Sequence, residues 1–253
     1  MSDNKRELPG GEIPVRTWYQ TNLGQQLASS ELALVEAQLP NLFGYHLLQL
    51  GAVGHESLLR GSRIRHQLVI ESDYSFRKDD IGLYAKPHQL PIATDSIDAL
   101  LLPHTLEFSE DPHQVLREVE RVLIPEGHVL ILGFNPLSFW GLRKLFGFSH
   151  RERLWRGKYV SMVRIKDWLS LLGFDAVECR YSFYRPPIQW AGLLGKLAFL
   201  ESVGRRLWPI LGGVYLVVAK KRVTTFTPIR AKWRTPHLVG VRVRTAESQT
   251  RNS

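Results

Sequence analysis

The chain has 253 residues, 44% of them hydrophobic and 10% aromatic, so it is long and apolar enough to form a folded core and is not a disordered protein. A single cysteine, Cys179, excludes an intrachain disulfide. The N-terminus is polar and no apolar run is long enough to cross a bilayer, so the sequence predicts a cytoplasmic protein without a transmembrane segment. The net charge of +9 lies mostly at one end, since residues 219–253 hold nine basic residues and one acid, a charge of +8.

A helical pattern comes first, after a polar N-terminal extension of residues 1–15. Apolar residues recur with helical spacing over residues 16–38, the spacing breaks near Gly24, and Pro40 ends the run.

Apolar runs of strand length follow along the rest of the chain. They lie at residues 45–50, 66–70, 81–85, 97–103, 128–134, 174–184 and 214–221. Because these runs are apolar on both faces and alternate with helical stretches, they are typical of a mostly parallel sheet covered by helices on both sides. The sequence therefore predicts an α/β fold with a doubly wound, Rossmann-like sheet.

The best-defined helix lies at residues 111–123. Asp111 is suited to be its N-cap and Pro112 its first residue, and one apolar stripe runs along it. Its charged residues are assigned to a solvated face. A turn at residues 125–127 is expected to lead into the next strand.

A glycine-containing turn follows the first strand, at the place where many α/β enzymes hold a nucleotide-like cofactor. Gly51 and Gly54 are present there, but Val53 and His55 stand where glycines would let the backbone approach a ligand. We interpret the turn as a degenerate cofactor site, in which two of the glycines have been replaced. The alternative is an ordinary connection between a strand and a helix.

Residues 90–132 contain several short motifs in one ungapped stretch. They are Leu90-Pro91-Ile92, Ser96-Ile97-Asp98, Leu106-Glu107, Leu116-Arg117-Glu118, Arg121-Val122-Leu123 and Pro125-Glu126-Gly127. In this spacing the stretch resembles the methyltransferase type 11 family of class I S-adenosylmethionine-dependent methyltransferases. The chain is also similar to an uncharacterised proteobacterial branch of that family, which extends the methyltransferase-like domain over residues 16–222.

The resemblance implies a seven-stranded sheet whose last strand is antiparallel. It also implies S-adenosyl-L-methionine as the cofactor, lying across the carboxyl ends of the central strands. Carried over position by position, the cofactor-binding residues are Gln49, Gly51, Gly54, Glu71, Asp73, Gln89, Leu90, Leu102 and Pro103.

One of these residues and the nearby Lys86 depart from the family, and two of the listed residues leave an alternative open. Gln49 stands where the family prefers an acid, and Lys86 stands where the family places an acid near the adenine amino group. Glu71 or Asp73 would bind the ribose hydroxyls, and the alternative for either is a solvated loop acid.

His104 directly follows the fourth strand, beside the position that the resemblance gives to the methyl group. Its imidazole titrates near neutral pH and is the candidate catalytic base that would take a proton from the methyl acceptor. The alternative is a histidine that only hydrogen-bonds its own loop. No spacing of histidine or cysteine predicts a metal site.

The predicted function is transfer of a methyl group by in-line displacement to an unidentified small-molecule or macromolecular acceptor. Aromatic-rich segments at residues 134–148 and 181–199 would cover the acceptor and suggest that it is apolar or aromatic, or they are a hydrophobic cap that closes the core. The alternative function is a methyltransferase-like binding or scaffold protein with a decayed cofactor site.

The basic segment at the end of the chain lacks helical periodicity and is predicted to be a flexible tail over residues 223–253. Through residues 220–253 it would contact a nucleic acid or an anionic surface, with Trp233 available to stack on a base. The alternative is a solvated appendage without a partner.

Overall fold

The computed structural model describes residues 15–51, 58–72, 82–145, 153–187 and 199–222. All of these residues fall within one compact unit that ends at Val223. The predicted tail, most of the predicted N-terminal extension and the positions of Val53, Gly54, His55 and Asp73 lie outside the described residues.

Seven strands form one sheet, as the sequence predicts. They are β1 (His46–Leu50), β2 (His66–Glu71), β3 (Leu83–Tyr84), β4 (Ile97–Pro103), β5 (Leu123–Phe134), β6 (Phe174–Ser182) and β7 (Val214–Lys221). Their order is β3-β2-β1-β4-β5-β7-β6. The first five strands are parallel to one another, whereas β7 is antiparallel to both β5 and β6. The α/β class and the antiparallel last strand are therefore confirmed.

Strand β5 begins earlier than predicted, at Leu123 rather than residue 128. The predicted turn exists as an irregularity inside the strand, where Glu126 has a left-handed φ of 65°. Pairing with β4 passes from Ile97–Leu123 directly to Ala99–His128, so the extra residues of β5 bulge out of the ladder.

Seven helices are described besides three short 3-10 turns. They are α1 (Val15–Tyr19), α2 (Asn22–Glu36), α3 (Thr105–Phe108), α4 (Pro112–Val122), α5 (Phe139–Leu145), α6 (Met162–Leu171) and α7 (Phe199–Leu207). The break predicted near Gly24 lies at Thr21, whose hydroxyl accepts a hydrogen bond from the Gly24 N–H at 3.1 Å and caps α2. Asp111 caps α4 as predicted, with its carboxylate 3.0 Å from the Gln114 nitrogen.

Helices cover both faces of the sheet. On β4, Leu100 and Leu102 pack in the cluster that contains α4 and α6, while Ala99 and Leu101 pack in the cluster that contains the end of α2. Alternate residues of one strand thus enter opposite cores, which explains why the strand is apolar at every position.

The fold brings several strand ends to one edge. From β1 the chain moves outward to β2 and β3, and then crosses back to β4 and β5 on the other side of β1. The gap between the carboxyl ends of β1 and β4 is therefore the point at which the strand order reverses, where open α/β sheets bind their ligands.

Candidate functional site

Gly51 lies at this reversal point, immediately after β1. It has a left-handed φ of 90°, and its N–H donates to the Ile70 carbonyl at 2.8 Å. A Cβ at this position would lie 3.2 Å from Thr105 Oγ1 and 3.9 Å from the Pro103 carbonyl oxygen. Thr105 Oγ1 in turn donates to the Leu50 carbonyl, which ties the ends of β1 and β4 together. Glycine is needed here both for the backbone conformation and for the close approach of β4.

Gln49 is buried beside Gly51, and only one of its two polar side-chain atoms has a hydrogen-bond partner among the described atoms. Its Nε2 donates to the Gly51 carbonyl at 2.8 Å, but no described atom donates to its Oε1. A buried acceptor without a donor costs about 1–3 kcal/mol, so most such atoms in proteins have a partner. Gln49 therefore presents an acceptor at the strand end that a bound donor would satisfy.

Glu71 ends β2 at the same edge, and its carboxylate accepts from the Ser72 N–H at 2.8 Å. Arg16 of α1 is electrostatically coupled to it. Burial lowers the pKa of Arg16, and the charge of Glu71 partly opposes that shift. Of the two predicted ribose acids, Glu71 is thus at the predicted strand end, and Asp73 is outside the described residues.

Leu90 is held by α4 and packs into the core. Its N–H donates to Glu118 Oε1 at 2.7 Å, and its carbonyl accepts from Arg121 Nη2 at 3.1 Å. Both backbone groups of Leu90 are therefore already bonded within the chain. Gln89 N–H likewise closes a turn onto the Lys86 carbonyl at 2.9 Å, while the Gln89 side chain is exposed.

The prediction that the charged residues of α4 form a solvated face is wrong for Glu118 and Arg121. Glu118 is 9% exposed, and the pair is joined at 2.7 Å between Arg121 Nη2 and Glu118 Oε1. The hydrogen bond from Arg121 lowers the pKa of Glu118. Helical spacing alone could not reveal that this pair braces a distant loop.

Leu102 and Pro103 are buried at the end of β4. The Leu102 side chain packs in the core cluster with α4 and α6. Pro103 contributes its carbonyl oxygen, which lies near the position of a Cβ on residue 51. The structure therefore brings Gln49, Gly51 and Pro103 together at the gap, and the role of Leu102 stays a prediction.

His104 is fully buried between two carboxylates. Its Nδ1 lies 2.8 Å from Glu107 Oε2, and its Nε2 lies 2.9 Å from Glu31 Oε1. Tyr19 OH donates to the same Glu31 oxygen at 3.1 Å. The Phe134 N–H donates to Glu107 Oε1, and its ring lies 4.2 Å from the imidazole.

This environment keeps His104 protonated. Burial by itself opposes the charge on the ring, but the attraction of Glu107 and then of Glu31 outweighs it and raises the pKa of His104 to about 10. Burial also raises the pKa of Glu107, against the opposing effect of His104. A pKa raised in this way favours the imidazolium form of His104 between Glu31 and Glu107 at neutral pH.

A base needs a free nitrogen lone pair, and His104 has none in this arrangement. Both ring nitrogens are bonded to carboxylates and none of the residue is exposed. The geometry therefore does not support the predicted proton transfer from an acceptor. Instead it joins α2, through Glu31, to the turn that follows β4.

Glu31 and Tyr19 were missed by the sequence reasoning. A signal was present, because Leu23, Leu27, Glu31 and Val35 recur every four residues and all are buried on one face of α2. An acid within an apolar stripe indicates a buried ionic partner.

Neither a metal-ligand cluster nor a membrane-spanning helix is found in the part of the chain that the structure describes. Among those residues, no three histidine, cysteine, aspartate or glutamate side chains are grouped so as to hold a metal ion. None of the described helices has the length and apolar character required to cross a bilayer.

Comparison with known sequences identifies a methyltransferase domain at residues 67–131. The chain is also 32% identical over 243 residues to the uncharacterised protein YafS of Escherichia coli K12, covering 95% of this chain and 90% of YafS. The match extends well beyond the domain, so the two proteins share nearly their whole length.

Solved structures share the fold at low sequence identity. An S-adenosylmethionine-dependent methyltransferase from Thermotoga maritima has a TM-score of 0.57 at 18% identity, over 79% of this chain and 91% of its own. The [4+2]-cyclase SpnF has a TM-score of 0.53 at 16% identity, over 76% of this chain and 80% of its own. These likenesses establish the architecture.

Proposed function

We propose a function for this chain from its family, because it belongs to the methyltransferase type 11 family of class I S-adenosylmethionine-dependent methyltransferases. It transfers a methyl group to an acceptor bound at the carboxyl edge of its sheet. One observation carries this proposal. At the point where strand order reverses, the left-handed Gly51 adjoins the buried Gln49, whose Oε1 has no donor among the described atoms.

The residues at this edge fit the cofactor of the family. Gly51 leaves space that a Cβ would occupy, and Gln49 Oε1 can accept a hydrogen bond from an ammonium or hydroxyl group. Glu71 would bind the ribose hydroxyls with its carboxylate. S-adenosylmethionine supplies a methyl group on a positively charged sulfur, which is already activated as a leaving group.

The protein's contribution is then to hold the reactants in line and to exclude water, which can supply about 7–11 kcal/mol in well-oriented systems. We assign His104 a positioning role in this task. Its N–H donates to the Leu132 carbonyl at 3.1 Å, and its left-handed backbone begins the turn between β4 and α3. The ionic contacts with Glu31 and Glu107 hold that turn in place.

Calorimetric titration with S-adenosylmethionine and with S-adenosylhomocysteine tests the proposal directly. We expect saturable binding of both at one site. No heat with either compound at millimolar concentration would remove the methyltransferase function.

Replacing Gly51 with alanine should weaken S-adenosylmethionine binding by at least about tenfold, a loss of about 1.4 kcal/mol. The added Cβ would enter the gap between β1 and β4, in a backbone conformation that alanine adopts poorly. The matched control is Gly173→Ala, because Gly173 has a similar φ of 79° with nothing within 4 Å of its Cβ position. Equal binding by both variants would show that Gly51 does not contact the cofactor.

A binding or scaffold protein with a decayed cofactor site is the second candidate function. The departures at Val53, His55 and Lys86 favour it, and a fold shared with a [4+2]-cyclase does not by itself fix the reaction. The calorimetric titration separates the two, because only the first function requires the cofactor.

For the basic segment of residues 220–253 we propose contact with a nucleic acid. Binding to a short RNA or DNA duplex should weaken steeply as salt rises, since each neutralised phosphate releases a counterion. Removing residues 223–253 should abolish that binding. Unchanged affinity after truncation would eliminate this partner.

A further inference from the structure

An apolar cavity lies just after β5, on the same side of the molecule as the carboxyl edge. It has a volume of about 660 Å³, within the range of about 300–1,000 Å³ typical of small-molecule sites. Its walls include Leu137, Phe139, Leu142, Leu145 and Tyr159.

The apolar residues of this cavity are unusually exposed. Leu137, Phe139, Leu142 and Leu145 are 65%, 50%, 47% and 79% exposed. The last three recur every three residues and share one face of α5, while Trp140 of the same helix is fully buried. A contiguous exposed apolar surface of this kind marks a place where another apolar molecule binds.

Several polar groups around the cavity are already bonded within the chain. Ser138 Oγ donates to the Asn135 carbonyl at 2.7 Å and accepts from the Trp140 N–H at 3.2 Å. Tyr159 OH donates to the Leu154 carbonyl at 3.4 Å. A ligand is therefore offered mainly hydrophobic contact by these walls.

Lys144 is the exception, because it brings a positive charge to the wall. Its ammonium donates to the Gly157 carbonyl and lies 4.4 Å from the centre of the Tyr159 ring. No acid among the described residues forms an ion pair with it. Burial lowers its pKa, and the more distant Glu107 partly opposes that shift. An anion at the cavity would stabilise this partly desolvated charge.

Neighbouring aromatic rings link the wall of the cavity to His104. The Tyr159 ring lies 5.1 Å from the Phe134 ring, which lies 4.2 Å from the imidazole of His104. Its lining also begins at Pro136, two residues after β5 ends at the carboxyl edge.

We propose that this cavity binds a single apolar chain that carries one anionic group, of the type of a free fatty-acid carboxylate. The apolar walls contact the chain, and Lys144 pairs with the anion. The binding of this ligand to the cavity is independent of the proposed function. Its role as the methyl acceptor rests on that function. Concavity and a cation within the wall favour a free molecule over a flat lipid surface.

Calorimetry with dodecanoate below its micelle concentration tests this binding on the full chain without cofactor. We expect one saturable site, and at least about tenfold weaker binding of dodecyltrimethylammonium, because its charge would meet Lys144. Equal binding of the two probes would overturn the assignment of an anionic group. Absence of dodecanoate binding would overturn the site.

Two variants with matched controls locate the site. Leu142→Asp should weaken dodecanoate binding by at least about tenfold by placing a charge in the apolar wall, whereas Leu171→Asp should not change it. Leu171 is 86% exposed on α6 and does not line the cavity. Lys144→Met should remove the preference for dodecanoate over the cationic probe, and Lys166→Met on α6 should retain it. Equal effects of the α5 and α6 variants would contradict the proposal.

Other occupants of the cavity give different outcomes. Co-sedimentation with phosphatidylglycerol vesicles that Leu142→Asp abolishes, without dodecanoate binding, would identify a membrane surface instead and overturn the proposal. A concentration-dependent dimer that the same variant disrupts, again without dodecanoate binding, would identify a second copy. Binding of dodecanoate by a chain that fails to bind S-adenosylmethionine would leave this site standing and remove the methyltransferase function.

Discussion

Replacing His104 with alanine is expected to lower the free energy of unfolding by about 3–5 kcal/mol. The change leaves the carboxylates of Glu31 and Glu107 buried without the imidazolium that lies 2.9 and 2.8 Å from them. Urea unfolding followed by tryptophan fluorescence measures the loss. His113→Ala is the control, because His113 is an exposed histidine on α4. A loss below about 1 kcal/mol would show that the cluster is not ionic, since breaking a buried ion pair costs several times that amount.

The same cluster predicts how stability depends on pH. The pKa of His104 is raised from 6.5 to about 10, so its contribution is fully present below pH 6.5 and is lost as the pH rises towards 10. The raised pKa of Glu107 acts in the same direction at lower pH. The free energy of unfolding should therefore fall between pH 6.5 and 10, by up to about 1.4 kcal/mol per pH unit.

The His104→Ala variant provides the control for that pH dependence. It should lack most of the decline over this range, because the group that titrates has been removed. Parallel profiles for the native chain and the variant would contradict the assignment of the raised pKa to His104.

Replacing Trp140 with alanine should cost about 3–5 kcal/mol of unfolding free energy. Trp140 is fully buried, its ring centre lies 5.6 Å from that of Trp18 and 5.7 Å from that of Phe134, and its Nε1 donates to the Arg185 carbonyl at 3.0 Å. Removing the indole leaves a large void between α5 and the sheet.

Trp208→Ala is the matched control for this variant, because Trp208 is 54% exposed and should cost much less. Urea unfolding followed by far-UV circular dichroism compares the two without depending on tryptophan emission. Since Trp140 anchors α5, its loss should also weaken dodecanoate binding. Similar stability of the two variants would show that the aromatic cluster does not hold this helix.

Most of the architecture could be predicted because it depends on local patterns. The apolar run of β4 was placed at its observed bounds, and Asp111 and Pro112 begin α4 as predicted. Both features are decided by residues near one another in the chain. The start of β5 was missed because pairing with β4 continues across a bulge, and pairing between strands is not a local property.

The candidate site was predictable only in outline. Gln49 and Gly51 could be placed at a strand end from the strand pattern alone. The charge state of His104 could not, because it depends on Glu31, which lies 73 residues away in sequence and reaches the ring only after α2 packs against the sheet. The hydrogen bonds of Glu118 and Arg121 with the backbone of Leu90 could not be predicted either, because they also join residues that are distant in sequence.

The amino-acid sequence by itself determined where most strands and the helices α2 and α4 lie and that the central strands are apolar on both faces, because periodicity and capping act over a few neighbouring residues. The resemblance over residues 90–132 supplied the family and its cofactor. Only the tertiary structure decided that His104 is buried with both ring nitrogens bonded to carboxylates, and that α5 presents leucines around a cavity beside a lysine. Burial and the distances to nearby charges set the pKa of His104, and the packing of the chain sets which leucines of α5 stay exposed. Both arise only when segments distant in sequence pack together.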